Sequence, residues 1–265
     1  MLQQNRLMLK LSNLEHNREV LLTESSFFLG SQEFMHSHTL LQVTPLFLLF
    51  SFFSSVSFLR KSLAVSMKKS IFAVDMVKHL YIIAGCNGAG KTTASKTILP
   101  KSLLVKEFVN ADEIAKGLSP FNPEGVAIEA GRLMLKRIDE LLNAGESFSI
   151  ETTLATKSYI SLVRRAQREG YMVHVLFFWL NSVELAKRRV AKRVSQGGHN
   201  IPLPVIERRY HTGIKNLFEI FMKEVDIWTL FDNTEDNAEL IAFGGRTRRT
   251  RIKNNDKFVK ISNYE

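Results

Sequence analysis

Short apolar runs alternate with amphipathic stretches along most of this chain, and that alternation predicts the fold. Leu80-Tyr81-Ile82-Ile83-Ala84 is uninterrupted apolar sequence, as expected of a strand covered on both faces. Leu103 to Val109 predicts a second strand, ending at Asn110-Ala111-Asp112. Between Pro123 and Leu142, the residues Ile128, Leu133, Leu135, Ile138 and Leu142 fall near helical spacing, and Asn143-Ala144-Gly145 closes that helix. Ser147 to Ile150 predicts a short third strand with Glu151-Thr152-Thr153 at its C-terminal end. A helix over 157–168 stops at Gly170, and Tyr171 to Leu180 is again nearly continuous apolar sequence. Ser182 opens a basic helix that breaks at Gly197-Gly198-His199-Asn200. A further helix follows Pro204, and Ile227 to Phe231 predicts the last core strand before Asp232-Asn233. Strand alternating with helix implies an α/β fold, a parallel sheet with helices on both faces. Ligands of such sheets sit beyond the carboxyl ends of the strands. That edge gathers Asp112, Glu151 and Asp232.

The N-terminal stretch departs from this pattern. Residues Thr39 to Leu59 form an uncharged, Phe- and Leu-rich block about as long as a membrane span, followed by Arg60, Lys61, Lys68 and Lys69. Two readings stay open for residues 1–75: a membrane anchor with the following domain in the cytoplasm, or an extension ahead of the true start, with Met76 opening the domain. Residues 76–245 are expected to be the folded domain and 246–265 a basic tail, with seven Lys and Arg against two acidic groups. The whole chain carries a formal net charge of +10. No recognisable nucleic-acid module accompanies that charge, so no specific nucleic-acid partner is expected. One cysteine, Cys86, excludes an internal disulfide and suits a reducing cytoplasm.

Directly after the first strand stands Gly85-Cys86-Asn87-Gly88-Ala89-Gly90-Lys91-Thr92-Thr93, which fits Gly-x-x-x-x-Gly-Lys-[Ser/Thr]. A strand before it and a helix after it are the context in which this pattern cradles phosphate. Backbone N–H groups close around phosphate oxygens, and the helix N-terminus adds partial positive charge. Lys91 is expected to reach the β- and γ-phosphates of a nucleoside triphosphate, and the Thr92 hydroxyl to take a place on Mg²⁺. Cys86 contributes its backbone to this loop rather than a reactive thiol.

Phosphoryl transfer also needs cations and a proton acceptor. Asp112, just past the second strand, is placed either to accept the proton of an acceptor hydroxyl or to cap the following helix. Glu151 is placed to hold a substrate hydroxyl or a Mg²⁺-bound water. Arg189 and Arg193 are four apart on one helix face ahead of the glycine break, where a lid would carry arginines over the transferring phosphate. Arg208 and Arg209 follow on the next helix, while His199 has no second ligand at metal-binding spacing.

Taken together, Ala84 to Thr93, Asn110 to Ile114, Ile150 to Leu154 and the stretch Arg193 to Pro202 with Arg208-Arg209-Tyr210 resemble the zeta-toxin family of P-loop kinases, in a chromosomal branch with a Gly-Gly-His lid. The resemblance runs from about residue 78 to 243. It implies a P-loop NTPase fold with an Arg-bearing lid, and ATP-dependent phosphorylation of the 3′-hydroxyl of UDP-N-acetylglucosamine. It also implies Asp112 as base, Glu151 and Thr153 as sugar-nucleotide contacts, and Arg189 or Arg193 with Arg209 as charge-neutralising groups. An antitoxin protein is the partner such toxins imply. Ala155 stands where well-studied members carry a basic residue, and the lid differs from theirs. A kinase for another small hydroxyl acceptor, or a regulatory module that hydrolyses ATP without transferring phosphate, therefore remain alternatives.

Overall fold

A computed structural model describes residues 77–103, 105–198 and 200–263. The apolar block at 39–59 and His199 lie outside the described residues. Seven strands form one sheet in the order β2-β3-β1-β4-β5-β6-β7. The strands are β1 (Lys78–Ala84), β2 (Glu107–Val109), β3 (Phe148–Thr152), β4 (Tyr171–Trp179), β5 (Ile227–Asp232), β6 (Glu239–Gly245) and β7 (Arg248–Ile252). The first five pair in parallel, joined by helical crossovers, as the apolar runs predict. Leu80, Ile82, Phe148, Ile150, Val173, Val175 and Leu230 are fully buried, which is why these strands read as unbroken apolar sequence.

The helices are α1 (Lys91–Ser102), α2 (Ala111–Leu118), α3 (Ala127–Ala144), α4 (Tyr159–Arg168), α5 (Val183–Ser195), α6 (Leu203–Asn216) and α7 (Asn255–Ser262). Ser182 caps α5 by accepting the Leu185 N–H at 3.2 Å, and Gly145 ends α3 in the left-handed region. Three expectations change. The second strand shrinks to Glu107–Val109, because it is an edge strand pairing only with β3 and α1 runs on to Ser102. On α3 the buried stripe is Ala130, Met134, Ile138, Leu141 and Leu142, whereas Ile128, Leu133 and Leu135 are exposed. The spacing of i, i+4, i+8 and i+11 fits one face better than the set chosen by hydrophobicity alone.

The third change concerns the end of the chain. Ile227 to Phe231 is not the last strand, because β6 and β7 continue the sheet antiparallel. The basic stretch 246–265, expected as a tail, contributes β7 and α7, and Ile261 of α7 is fully buried in the core. All five residues of β7 are exposed, so it reads as polar sequence and hides its pairing. Charged residues on an edge strand also discourage pairing with other chains.

The crossover after β1 leads toward β2 on one side of the sheet, whereas that after β4 leads toward β5 on the other. Such a reversal opens a crevice beyond the carboxyl ends of β1 and β4. The loop leaving β1 enters it tightly. At Gly85, φ is +141°, and a Cβ there would stand 2.3 Å from the Phe178 carbonyl oxygen of β4. Only glycine permits both the dihedral and the approach.

Candidate active site

Residues 85–90 form the turn between β1 and α1, and Lys91, Thr92 and Thr93 open the helix. Gly90 is the N-cap of α1 in left-handed conformation, no side chain caps the helix, and its first turn contains no acid. With neither a capping side chain nor an acid there, the positive end of the α1 dipole suits an anion such as phosphate. Lys91 is buried and folds back over the turn, donating to the Cys86 carbonyl at 2.9 Å with Glu151 3.7 Å away. Burial pushes the Cys86 thiol up to about 11, which keeps it protonated and unreactive at neutral pH. Asn87 is buried, and its side-chain oxygen accepts from Arg209 of α6 at 3.3 Å. Asn233, in the turn after β5, donates to the Ala89 carbonyl at 2.8 Å. Lys91 thus folds over these residues from within, and Arg209 and Asn233 reach them from two other elements.

Glu151 lies near the end of β3 and joins this loop to the next strand. Its carboxylate accepts the Thr92 hydroxyl at 2.9 and 3.1 Å and the Asn110 amide at 2.9 Å. Asn110 also caps α2, accepting the N–H of Asp112 at 2.8 Å and of Glu113 at 3.3 Å. Because Asn110 fills the capping role, Asp112 is free of it. The Asp112 carboxylate is exposed on the first turn of α2 and has no partner among the described residues. A metal ion would find the Thr92 hydroxyl and the Glu151 carboxylate side by side. Among the described residues no group of three His, Cys, Asp or Glu could hold one alone. A hard cation here would complete its shell with phosphate oxygens and water, as Mg²⁺ does beside triphosphates.

The segment after β3 is held in an unusual shape. Leu154 is fully buried yet adopts φ +59°, the only non-glycine positive φ among the described residues. A left-handed leucine costs about 1–2 kcal/mol. Its neighbours impose it: Leu154 N–H donates to the Thr152 hydroxyl at 3.1 Å, and its carbonyl accepts from buried Asn216 at 2.8 Å. Gly213 of α6 lies so close that a Cβ there would stand 2.5 Å from the Thr153 carbonyl oxygen. Thr153, the expected sugar-nucleotide contact, is thus held from behind by α6, the helix whose Arg209 touches the phosphate loop.

The arginines divide. Arg209 reaches the phosphate loop at Asn87. The Arg189 guanidinium instead donates to the carbonyls of Asn233 at 2.8 Å and Thr234 at 2.7 Å. It braces the turn after β5, while its own Cβ stands 3.2 Å from where a Gly88 Cβ would be, against the phosphate loop. Arg193 lies under the glycine turn, with its Cγ 2.6 Å from where a Gly198 Cβ would be and its carbonyl accepting from Gly198 N–H at 2.9 Å. Sequence reasoning missed Asn110, Gly213, Asn216 and Asn233. Asn110 carries a readable signal, an asparagine between a strand and a helix, whereas the other three act through distant backbone and leave none.

A family model described as Zeta toxin matches residues 65–240. An uncharacterized protein of Haemophilus influenzae is 30% identical over 151 residues, covering 57% of this chain and 99% of its own length. Among solved structures, the complex of AvrRxo1-ORF1 with AvrRxo1-ORF2 crystallised with sulphate ions aligns at a TM-score of 0.58 and 18% identity over 70% of this chain. The same complex with ATP aligns at 0.57 and 19% identity. In both, this chain spans 63% of the length of the matched chain, and the likeness is one of fold. Strand order, phosphate loop and family match agree: the chain belongs to the zeta toxin family and has a P-loop kinase fold.

Proposed function

We propose that this protein transfers the γ-phosphoryl group of ATP to a hydroxyl of a small molecule, a sugar nucleotide of the UDP-N-acetylglucosamine kind. The observation that carries the reading is the bonded series Thr92–Glu151–Asn110, which ties the phosphate loop to the helix bearing the unengaged Asp112 carboxylate. Bound Mg²⁺ would draw negative charge from the phosphates, with the Thr92 hydroxyl as its protein ligand and Glu151 holding a water beside it. Lys91 leaves the Cys86 carbonyl for phosphate oxygens. Asp112 takes the proton of the acceptor hydroxyl as the new bond forms, a role that suits an exposed carboxylate beside the phosphate site. Arg209 supplies fixed positive charge from α6. Thr153 and Glu151 would contact the acceptor.

A kinase for a different hydroxyl compound is the second reading, favoured by Ala155 where the family's basic residue would stand. The full chain incubated with ATP, Mg²⁺ and a panel of sugar nucleotides decides between them by mass spectrometry. One added phosphoryl group on UDP-N-acetylglucosamine supports the first reading. Phosphate on another acceptor supports the second, and ATP consumption with no phosphorylated product removes both. Toxicity and a neutralising protein partner belong to the same proposal. The AvrRxo1-ORF1 structures are complexes with a second protein, and co-expression with neighbouring genes would test that for this chain. Among the described residues no helix is long and apolar enough to cross a membrane.

A further inference from the structure

We propose that Lys257, on α7, is a positioning residue for the phosphate loop, acting through Asp232 and the turn after β5. The inference rests on the nucleotide reading of residues 85–93. Lys257 lies beyond the stretch matched by the family, 65–240, in the segment expected to be a solvated tail.

Asp232 ends β5 and is buried. Lys257 Nζ stands 2.5 Å from one of its oxygens and 2.8 Å from Glu239. The other Asp232 oxygen accepts the backbone N–H of Thr234 at 2.9 Å and also its hydroxyl. That hydroxyl oxygen in turn accepts the Asn181 N–H at 3.0 Å. Asn233, between them, is fixed by its N–H to the Trp179 carbonyl at 2.8 Å and by Arg189 on its own carbonyl. From that fixed backbone its side-chain amide donates to the Ala89 carbonyl at 2.8 Å.

The last link is geometric. A peptide unit is planar, so holding the Ala89 carbonyl oxygen fixes where the Gly90 N–H points. That N–H is one of the donors of the phosphate cradle. A Cβ on Gly90 would stand 2.6 Å from the Asn233 amide nitrogen, so the contact is close on both sides of this peptide. Lys257 is the lysine bonded to the Asp232 carboxylate. Without it the buried anion must seek a proton, water or another donor, and the 232–234 turn shifts with it. The effect is carried to the cradle by Asn233.

The test uses the full chain and compares wild type with Lys257→Met, Lys257→Arg and the double variant Asp232→Asn with Lys257→Met. Hydrogen exchange is read in ligand-free protein, and ATP affinity is read by calorimetry. Lys257→Met is expected to speed exchange in peptides covering 85–93 and 230–236 by about tenfold, with 107–118 unchanged. The ATP Kd is expected to rise by about tenfold in the same variant. The double variant, which removes both charges, and the arginine variant should return both readings toward wild type. If Lys257→Met melts at lower temperature but keeps wild-type exchange at 85–93 and wild-type ATP affinity, Lys257 is structural only and the proposal fails. Should Lys257→Met not fold, Lys257→Gln takes its place with the same readings. A wild type that binds no ATP would remove the nucleotide reading, and the ligand-free exchange comparison would still decide this one.

Discussion

Lys91 is buried and held on two sides, whereas Asp112, across the site, is exposed and bonded to nothing through its carboxylate among the described residues. The same contrast extends outward from each. Around the phosphate loop, α5, α6, the turn after β5 and the end of β3 meet at hydrogen-bond distance. On the elements that follow Asp112, α2 exposes Leu118, the segment after it Phe121, and α3 Ile128 and Leu135. A triphosphate presents one geometry to any such loop, so its cradle can be built rigid in advance. On the proposed function, the acceptor side at Asp112 is left for its ligand to complete. Donor chemistry is therefore legible from the fold, and acceptor identity is not.

The comparison can be broken at either end. Lys91→Ala should lower phosphotransfer by about 10³-fold, because it deletes the cation nearest the developing charge. A radiolabel transfer assay checks it, and activity within tenfold of wild type would dissolve the donor assignment. Asp112→Asn should lower kcat by about 10²–10⁴-fold while leaving ATP affinity and melting temperature as they are, since the exposed side chain supports nothing else. A matching loss of ATP affinity would mean that the two sides are not separable.

Gly213→Ala sharpens the picture on the acceptor side. The added methyl would press on the Thr153 carbonyl, costing about 1–3 kcal/mol of stability. The Michaelis constant for the acceptor should rise more than that for ATP, which steady-state kinetics with each substrate varied in turn would show. Equal changes would place Gly213 in the general core.

The smallest effect is in pH. Hydrogen bonds from Lys257 and then Asn254 hold the Glu239 carboxyl below its usual range, and those to Asp232 and then Glu239 raise Lys257 above its own. A depressed carboxyl contributes stability that is complete above its unfolded value of about 4.3 and is lost as pH falls through the folded one. A raised lysine contributes stability that is complete below about 10.4 and is lost as pH rises through its folded value. Melting curves should show this cluster's stabilisation complete and flat from about pH 5 to 9 and weakening on both flanks. Glu239→Gln should remove part of the acid slope.

The parallel half of the sheet was legible because strands covered on both faces must be apolar throughout. The antiparallel half was not, since β7 is an exposed edge whose arginines look like solvated sequence. The phosphate loop could be read because it acts through its own local backbone, and Glu151 because its place at a strand end is written in the sequence around it. Arg189 shows the limit: helical spacing puts it on a face with Arg193, but only the packed turn at 233–234 decides which way that face looks. Asn216 and Gly213 act across more than fifty residues of chain on a strained leucine, and no pattern in their neighbourhood announces it.

The one cysteine of the chain sits inside the phosphate loop, buried and protonated. A thiol reagent reaches the buried sulfur when the loop opens, so its labelling rate reports how readily the loop opens. The protein thus carries its own gauge of the donor site, at native sequence and without an attached dye. Ligands, partners and distant substitutions that stiffen or loosen that loop would all register on the same sulfur.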